Sequence, residues 1–258
     1  MIGVLKSELF KLRTTRATKI VVLSAILLPA IIFTLTSLFT FQNSEVQDSL
    51  ASMVGTFAPL TGLLLGVVGV LCSTQEYSQG TIRITLVATP SRLKVFVAKI
   101  LTTVVVSVTS SLLMLLLCLV PSQLILSSRT NKIGENIDLT FEVIGSDVRV
   151  LFSVVIIGAF LSILGLSLGL IFKSSPGAIS ALLIWPTILE GMVFGLLSLA
   201  FKDSNIFRYA PIQGNGFRLI ATSFNFDNNT WLVSLTYFTA FVAVFTVLGA
   251  VLFSRRDA

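Results

Sequence analysis

Thr74-Gln75-Glu76-Tyr77-Ser78-Gln79-Gly80-Thr81-Ile82-Arg83-Ile84-Thr85-Leu86, closed by Pro90-Ser91-Arg92-Leu93-Lys94, is a polar island between two apolar runs. The runs, Met53–Ser73 and Phe96–Val120, are each near the roughly 20 residues that an α-helix needs to cross a bilayer. The island, about residues 74–95, has room for a loop with one short helix. Gly80 suits the end of the preceding helix, and Thr81 the cap of a new one. Ile82, Leu86 and Thr85 would give that helix a small docking face. Glu76, Arg83 and Arg92 would set its register by charge. Pro90 stops it, and Ser91 can cap the next span.

Outward from the island the chain is apolar. Of 258 residues, 54% are hydrophobic and 12% charged, and the mean hydropathy is +0.96. A soluble domain carries about 25% charged residues, so half that content places this chain in a bilayer. Residues 1–258 read as a single membrane domain, all-α, because lipid offers no partner for free backbone groups. The chain has no histidine, which removes His-ligated zinc and His-based acid/base chemistry. Cys72 and Cys118 read as ordinary apolar residues near opposite faces. No Gly-x4-Gly-Lys-Ser/Thr phosphate loop is present. The chain therefore reads as a non-enzyme with no cofactor of its own.

Six apolar segments stand out: Lys19–Phe41, Met53–Ser73, Phe96–Val120, Val150–Phe172, Gly177–Ala200 and Trp231–Phe253. With both termini inside, 12 Lys and Arg fall on the inner side and 6 on the outer. That asymmetry is the topology signal of a cell membrane protein, so the basic pI of 9.6 needs no nucleic-acid partner. The first run is too long for a signal-peptide core and is expected to stay as a span. Ser175-Pro176 suits an N-cap followed by proline in a first helical turn.

Before the first span, residues 1–18 repeat an amphipathic pattern. Ile2, Leu5, Leu9 and Leu12 fall on one face, with Lys6, Glu8, Lys11 and Arg13 off it. This predicts a helix in the inner interface, its cations beside lipid headgroups. Gly62/Gly66, Gly165/Gly169 and Gly191/Gly195 are Gly-x3-Gly pairs that permit close helix packing. Glu190 is the one acid deep in a span. Counted from Gly177 at about 1.5 Å per residue, it lies two-thirds of the way across. It is either a polar element of a translocation path or a structural acid held by a neighbouring span. Pro186, four residues earlier, predicts a kink. Residues 201–230 are too apolar for a solvated loop. They read as two short interfacial or re-entrant helices around Phe207 and Phe217, parted by Pro211 and Gly214-Asn215-Gly216.

Ser7-Glu8-Leu9-Phe10-Lys11-Leu12-Arg13-Thr14-Thr15-Arg16 resembles the entry of type 2 ABC exporter permeases. So does Glu76-Tyr77-Ser78-Gln79-Gly80-Thr81-Ile82-Arg83-Ile84-Thr85-Leu86 with Pro90-Ser91-Arg92, and, more loosely, Ser254-Arg255-Arg256-Asp257. Trp185-Pro186-x3-Glu190 is similar to a local pattern in actinobacterial members. The resemblance implies a half-transporter of the bacterial plasma membrane that works as a homodimer, or as a heterodimer with a similar permease. It implies two copies of a separate ABC ATPase subunit, which binds ATP and Mg. The first stretch would be a connecting helix (Glu8, Lys11, Arg13), and the island a coupling helix (Glu76, Gly80, Thr81, Ile82, Arg83, Leu86, Arg92). Glu190, Pro186, Phe207 and Phe217 would belong to the path or its outer gate. The cargo would be amphipathic, such as a drug, lipid or peptide antibiotic. Two other readings stay open: a proton-driven transporter using Glu190, and a non-transporting immunity or sensor subunit.

Overall fold

A computed structural model describes residues 2–40, 54–88, 91–127, 145–202, 206, 209–220 and 228–255, and no strand forms among them. The helices are α1 (Ile2–Thr14), α2 (Arg16–Thr40), α3 (Ala58–Ser78), α4 (Ile82–Ala88), α5 (Arg92–Ser127) and α6 (Gly145–Phe172). After them come α7 (Ser175–Ile184), a π-helical turn (Trp185–Leu189) and α8 (Glu190–Phe201), which together make one 27-residue span. A second π-helical turn (Pro211–Gly216), a 3-10 turn (Phe217–Ile220) and α9 (Asn228–Arg255) complete the order. Among the described residues six helices are long and apolar enough to cross a membrane, as the six runs predict.

Helix α6 is the hub. It packs along α3 and also touches α5, α7 and α9. Glycine makes the α3–α6 approach possible. A Cβ on Gly69 would fall well inside contact distance of the Ser162 carbonyl oxygen, and one on Gly165 would do the same to the Gly66 carbonyl. Two of the three Gly-x3-Gly pairs therefore face each other within one chain. The third does not: a Cβ on Gly191 or Gly195 would meet nothing within 4 Å. Around the seam, Ile157, Leu161, Met114 and Phe238 are fully buried, and Phe160 meets Phe238 edge-to-face at 5.6 Å.

The helix ends differ from the apolar runs in ways that matter. Helix α3 begins at Ala58, with proline in its first turn, and continues to Ser78. It passes through Ser73 and Thr74 because both hydroxyls donate to the Val70 carbonyl at 2.9 Å instead of competing with the helix. Glu76 thus lies in its last turn. Helix α5 starts at Arg92, a turn before the apolar run, which brings Lys99 well inside a helix. The cap before α7 is Ser174, not Ser175; the Ser175 hydroxyl instead donates to Thr74 Oγ1 at 2.6 Å.

Candidate functional site

Two polar sites stand apart in the bundle, one at the end of α3 and one within the Ser175–Phe201 span. The first grows from the end of α3. Gly80 adopts φ +66°, the left-handed region open to glycine. Its N–H donates to the Tyr77 carbonyl, and the Thr81 N–H to the Glu76 carbonyl at 3.0 Å. These two bonds form a Schellman end, which turns the chain sharply from α3 into α4. Thr81 stands at the start of α4, its carbonyl accepting from the Thr85 N–H at 3.1 Å.

Helix α1 stands against α5 and α2. Glu8 and Lys11, one turn apart, share a face, and that face meets Glu76 and Lys99. Lys11 Nζ lies 2.6 Å from Glu8 Oε1 and 2.6 Å from Glu76 Oε1. Lys99 Nζ lies 2.7 Å from Glu8 Oε2 and 2.9 Å from Glu76 Oε2. Each carboxylate therefore bridges both ammonium groups, and the four charges close a neutral ring. The Lys99–Glu76 contact is an ion pair without hydrogen-bond alignment; Lys99 instead donates to Glu8 and to the Cys72 carbonyl at 3.2 Å. Thr85 of α4 joins the ring at 3.4 Å from both Lys11 Nζ and Glu76 Oε1.

The side chains of Glu8 and Lys99 are only 2% and 1% exposed, whereas that of Lys11 is 39% exposed. Burial alone would lower the Lys11 pKa. The hydrogen bonds and charges of Glu76 and Glu8 outweigh it and hold the group above the ordinary lysine value. A raised cation pKa means this tie is whole below the ordinary value and is lost only as pH rises through the raised one. Lys11 is thus a full cation at neutral pH.

Glu8, Lys11 and Glu76 were expected at two separate places, and the fold brings them together. Glu8 was expected off the buried face of its helix. It is buried with Leu12 because α1 rests on protein, and Arg13 is among the residues left exposed. Lys99, which closes the ring, reads in sequence as a flanking cation. Its signal is a lone charge inside Val95-Phe96-Val97-Ala98-Lys99-Ile100-Leu101, the same criterion that singles out Glu190. Ile82 does not face outward. It is 6% exposed and packs with Leu12, Val95, Phe96 and Phe253. Ile84 and Val87, one turn apart on α4, are the outward pair at 71% and 84% exposure. Arg92 donates to the Phe253 and Ser254 carbonyls at 3.2 and 3.3 Å, satisfying the end of α9. The Arg83 and Leu86 side chains, and Phe207, lie outside the described residues.

The second site is built around Glu190. Pro186 cannot donate a backbone bond, and the helix widens there into a π-helical turn. The Glu190 N–H reaches back to the Trp185 carbonyl, and the wider turn puts both side chains on one side. Trp185 Nε1 donates to Glu190 Oε1 at 2.9 Å. The Ile212 N–H donates to both carboxylate oxygens at 3.1 Å, and the Gln213 N–H to Oε2 at 2.7 Å. Gln213 Nε2 also donates to the Pro186 carbonyl. The turn Pro211–Gly216 starts after Ala210, which has no acceptor in its side chain. A carboxylate from another span therefore caps it. The Glu190 carboxylate, 1% exposed, is thus held by donors from Trp185, Ile212 and Gln213. The turn is buried rather than interfacial, and Phe217 is half-buried against the core.

Every partner of the Glu190 carboxylate is a donor. Glu190→Gln would set an amide N–H against one of those N–H groups. The loss should be about 1–3 kcal/mol, or roughly 10–100-fold faster hydrogen exchange at the Ile212 and Gln213 amides. Unchanged protection there would show that something else anchors the turn.

Residues 4–182 match the family profile described as ABC-2 family transporter protein. No curated protein matches the chain.

Proposed function

The chain belongs to the ABC-2 transporter family, and from this we propose that it is the permease of an ATP-driven exporter whose engine is a separate ATPase subunit. It is a multi-pass membrane protein with six apolar helices. The observation that carries the proposal is the ring of Glu8, Lys11, Glu76 and Lys99. It joins the helix before the first span, the end of the second span and the start of the third, and Thr85 attaches α4 to it. Helix α4 is thereby fixed on one side and bare on the other. A push on Ile84 and Val87 has a rigid route into three helices.

In this reading both termini and α4 face the cytoplasm of a bacterial cell. Two ATPase copies bind ATP and Mg and drive a permease pair, by the two-fold logic of paired engines. The cargo is amphipathic, its class suggested only by apolar walls. A proton-carrier role for Glu190 has less support, because both its oxygens are taken up by the donors that fix the outer turn.

The test is co-purification of the tagged chain with its ATPase and measurement of cargo-stimulated ATP hydrolysis. Val87→Glu, which puts a charge on the outward face, should weaken the ATPase complex at least about tenfold, or about 1.4 kcal/mol. The variant should insert normally, since Val87 is 84% exposed. Full binding and coupled hydrolysis by Val87→Glu would remove α4 as the handle. Vigorous ATP hydrolysis by the pure chain would remove the separate engine.

A further inference from the structure

Between α6, α7 and α9 lies a cavity of about 230 Å³. Its walls include Leu164, Phe172, Ala181, Trp185, Ile212 and Phe245, and every lining residue is hydrophobic. The Trp185 N–H, the one polar side-chain atom among these residues, is committed to Glu190. An enclosed apolar cavity of about 150 Å³ excludes water yet admits benzene, and this cavity's walls likewise offer water no free hydrogen-bond partner. At its larger size this one takes a longer hydrocarbon group.

Its depth narrows the choice. From Phe172, at the inner end of α6, to Leu164 is about 12 Å at 1.5 Å per residue. From Ser175 to Trp185 along α7 is about 15 Å on the same count, half of the roughly 30 Å hydrocarbon core, so the cavity runs from the side of the four-charge ring to about mid-membrane. Phe172 and Trp185 are 48% and 41% exposed, which leaves the cavity open to the side. Charge at the headgroup level completes the pattern. Lys173 directly follows Phe172, its ammonium 5.3 Å from the centre of the Tyr77 ring at the end of α3, and Arg255 ends α9, whose Phe245 forms a wall. We propose that this cavity is a site for an anionic phospholipid of the leaflet on the ring's side, one acyl chain lying between α6, α7 and α9. The chain's tip would rest on Trp185 and Ile212, which both donate to Glu190 Oε1. A bound lipid would thus support the turn Pro211–Gly216 from below. The inference needs only the membrane-embedded fold, so failure of the transport reading leaves it standing.

Trp185 is its own reporter, since the chain has only two tryptophans. The test uses Trp231→Phe protein in nanodiscs of phosphatidylcholine, titrated with phosphatidylglycerol or phosphatidylcholine carrying dibrominated acyl chains. Quenching of Trp185 by the anionic lipid should saturate at a mole fraction at least about fivefold lower than by the zwitterionic one, the effect of about 1 kcal/mol from one of the two cations. Ala181→Phe, which fills the cavity, should remove the saturating component. Equal, non-saturating quenching by both lipids would mean ordinary boundary lipid and overturn the site. So would saturation unchanged by Ala181→Phe, or a tail site filled only when an amphipathic cargo is added. The lipid preference alone decides the matter if Ala181→Phe does not insert.

Discussion

Replacing Lys99 with methionine should destabilise the protein by about 3–5 kcal/mol, the usual result of removing one partner from a buried ion pair. The substitution keeps the apolar stem and removes only the charge. Glu8 and Glu76 would then share Lys11 alone, with one negative charge uncompensated on carboxylates whose side chains are 2% and 7% exposed. The midpoint of thermal unfolding in detergent, read by the monodisperse fraction after heating, should fall on the order of 10 °C. The ring makes a second, more specific demand. Lys99→Met combined with Glu8→Gln removes one charge of each sign, so the pair should be more stable than Lys99→Met alone. Lys99→Arg should recover only part, because a planar guanidinium does not occupy the same point between two carboxylates. If Lys99→Met melts with the wild type, the ring is not what holds α1 to α3 and α5.

A single added methyl should give opposite results at two motifs of identical sequence pattern. Gly165→Ala places its Cβ against the Gly66 carbonyl, a backbone atom that cannot rotate away. Helices α3 and α6 would have to part, and these form the most extensive helix pair in the fold. Overpacking of this kind costs about 1–3 kcal/mol where side chains can give way, and here the obstacle is backbone, so the upper end or loss of folded protein is expected. Gly191→Ala meets nothing within 4 Å and removes a flexible residue from a helix interior. It should be neutral or stabilise by up to about 1 kcal/mol. Yield and thermal survival of the two variants decide the matter. Equal behaviour would mean that the seam is not where the structure puts it.

Much of the architecture was legible in the sequence because a bilayer enforces it. A run of about 20 apolar residues has few alternatives to a spanning helix, and lysine and arginine counts supply an orientation. The boundaries were less legible. Thr74 and Glu76 fall in the polar island, past the apolar run that ends at Ser73, yet Thr74 bonds its own helix and Glu76 finds lysines on other helices. Nothing local to residues 74–95 announces that Glu8 is the neighbour of Glu76. The ring joins residues 68 and 91 positions apart, and only the packing of α1 on α5 reveals it. The same holds for α4, where spacing could not tell its buried side from its bare one. Ile82 and Ile84 are alike in sequence, and tertiary contact alone turns one in and the other out. Glu190 was conspicuous as a deep acid, but its partners are backbone N–H groups, which carry no side-chain signature.

The ring also has a place in time. All four of its charges lie in residues 8–99, whereas the glycine seam requires α6 and the outer turn requires Pro211 onward. A ribosome adding about 5–20 residues per second needs on the order of ten to thirty seconds to go from Lys99 to Arg255. The N-terminal helix and the second and third spans therefore have their electrostatic partners in hand while the rest of the chain is still unmade. Until Lys99 arrives, Glu8, Lys11 and Glu76 carry an unbalanced negative charge at the membrane boundary. Lys99 supplies the charge that balances them. The four ion pairs of the ring thus all close within the first 99 residues, and the close-packed seam of Gly66 on Gly165 draws its second helix from later in the chain.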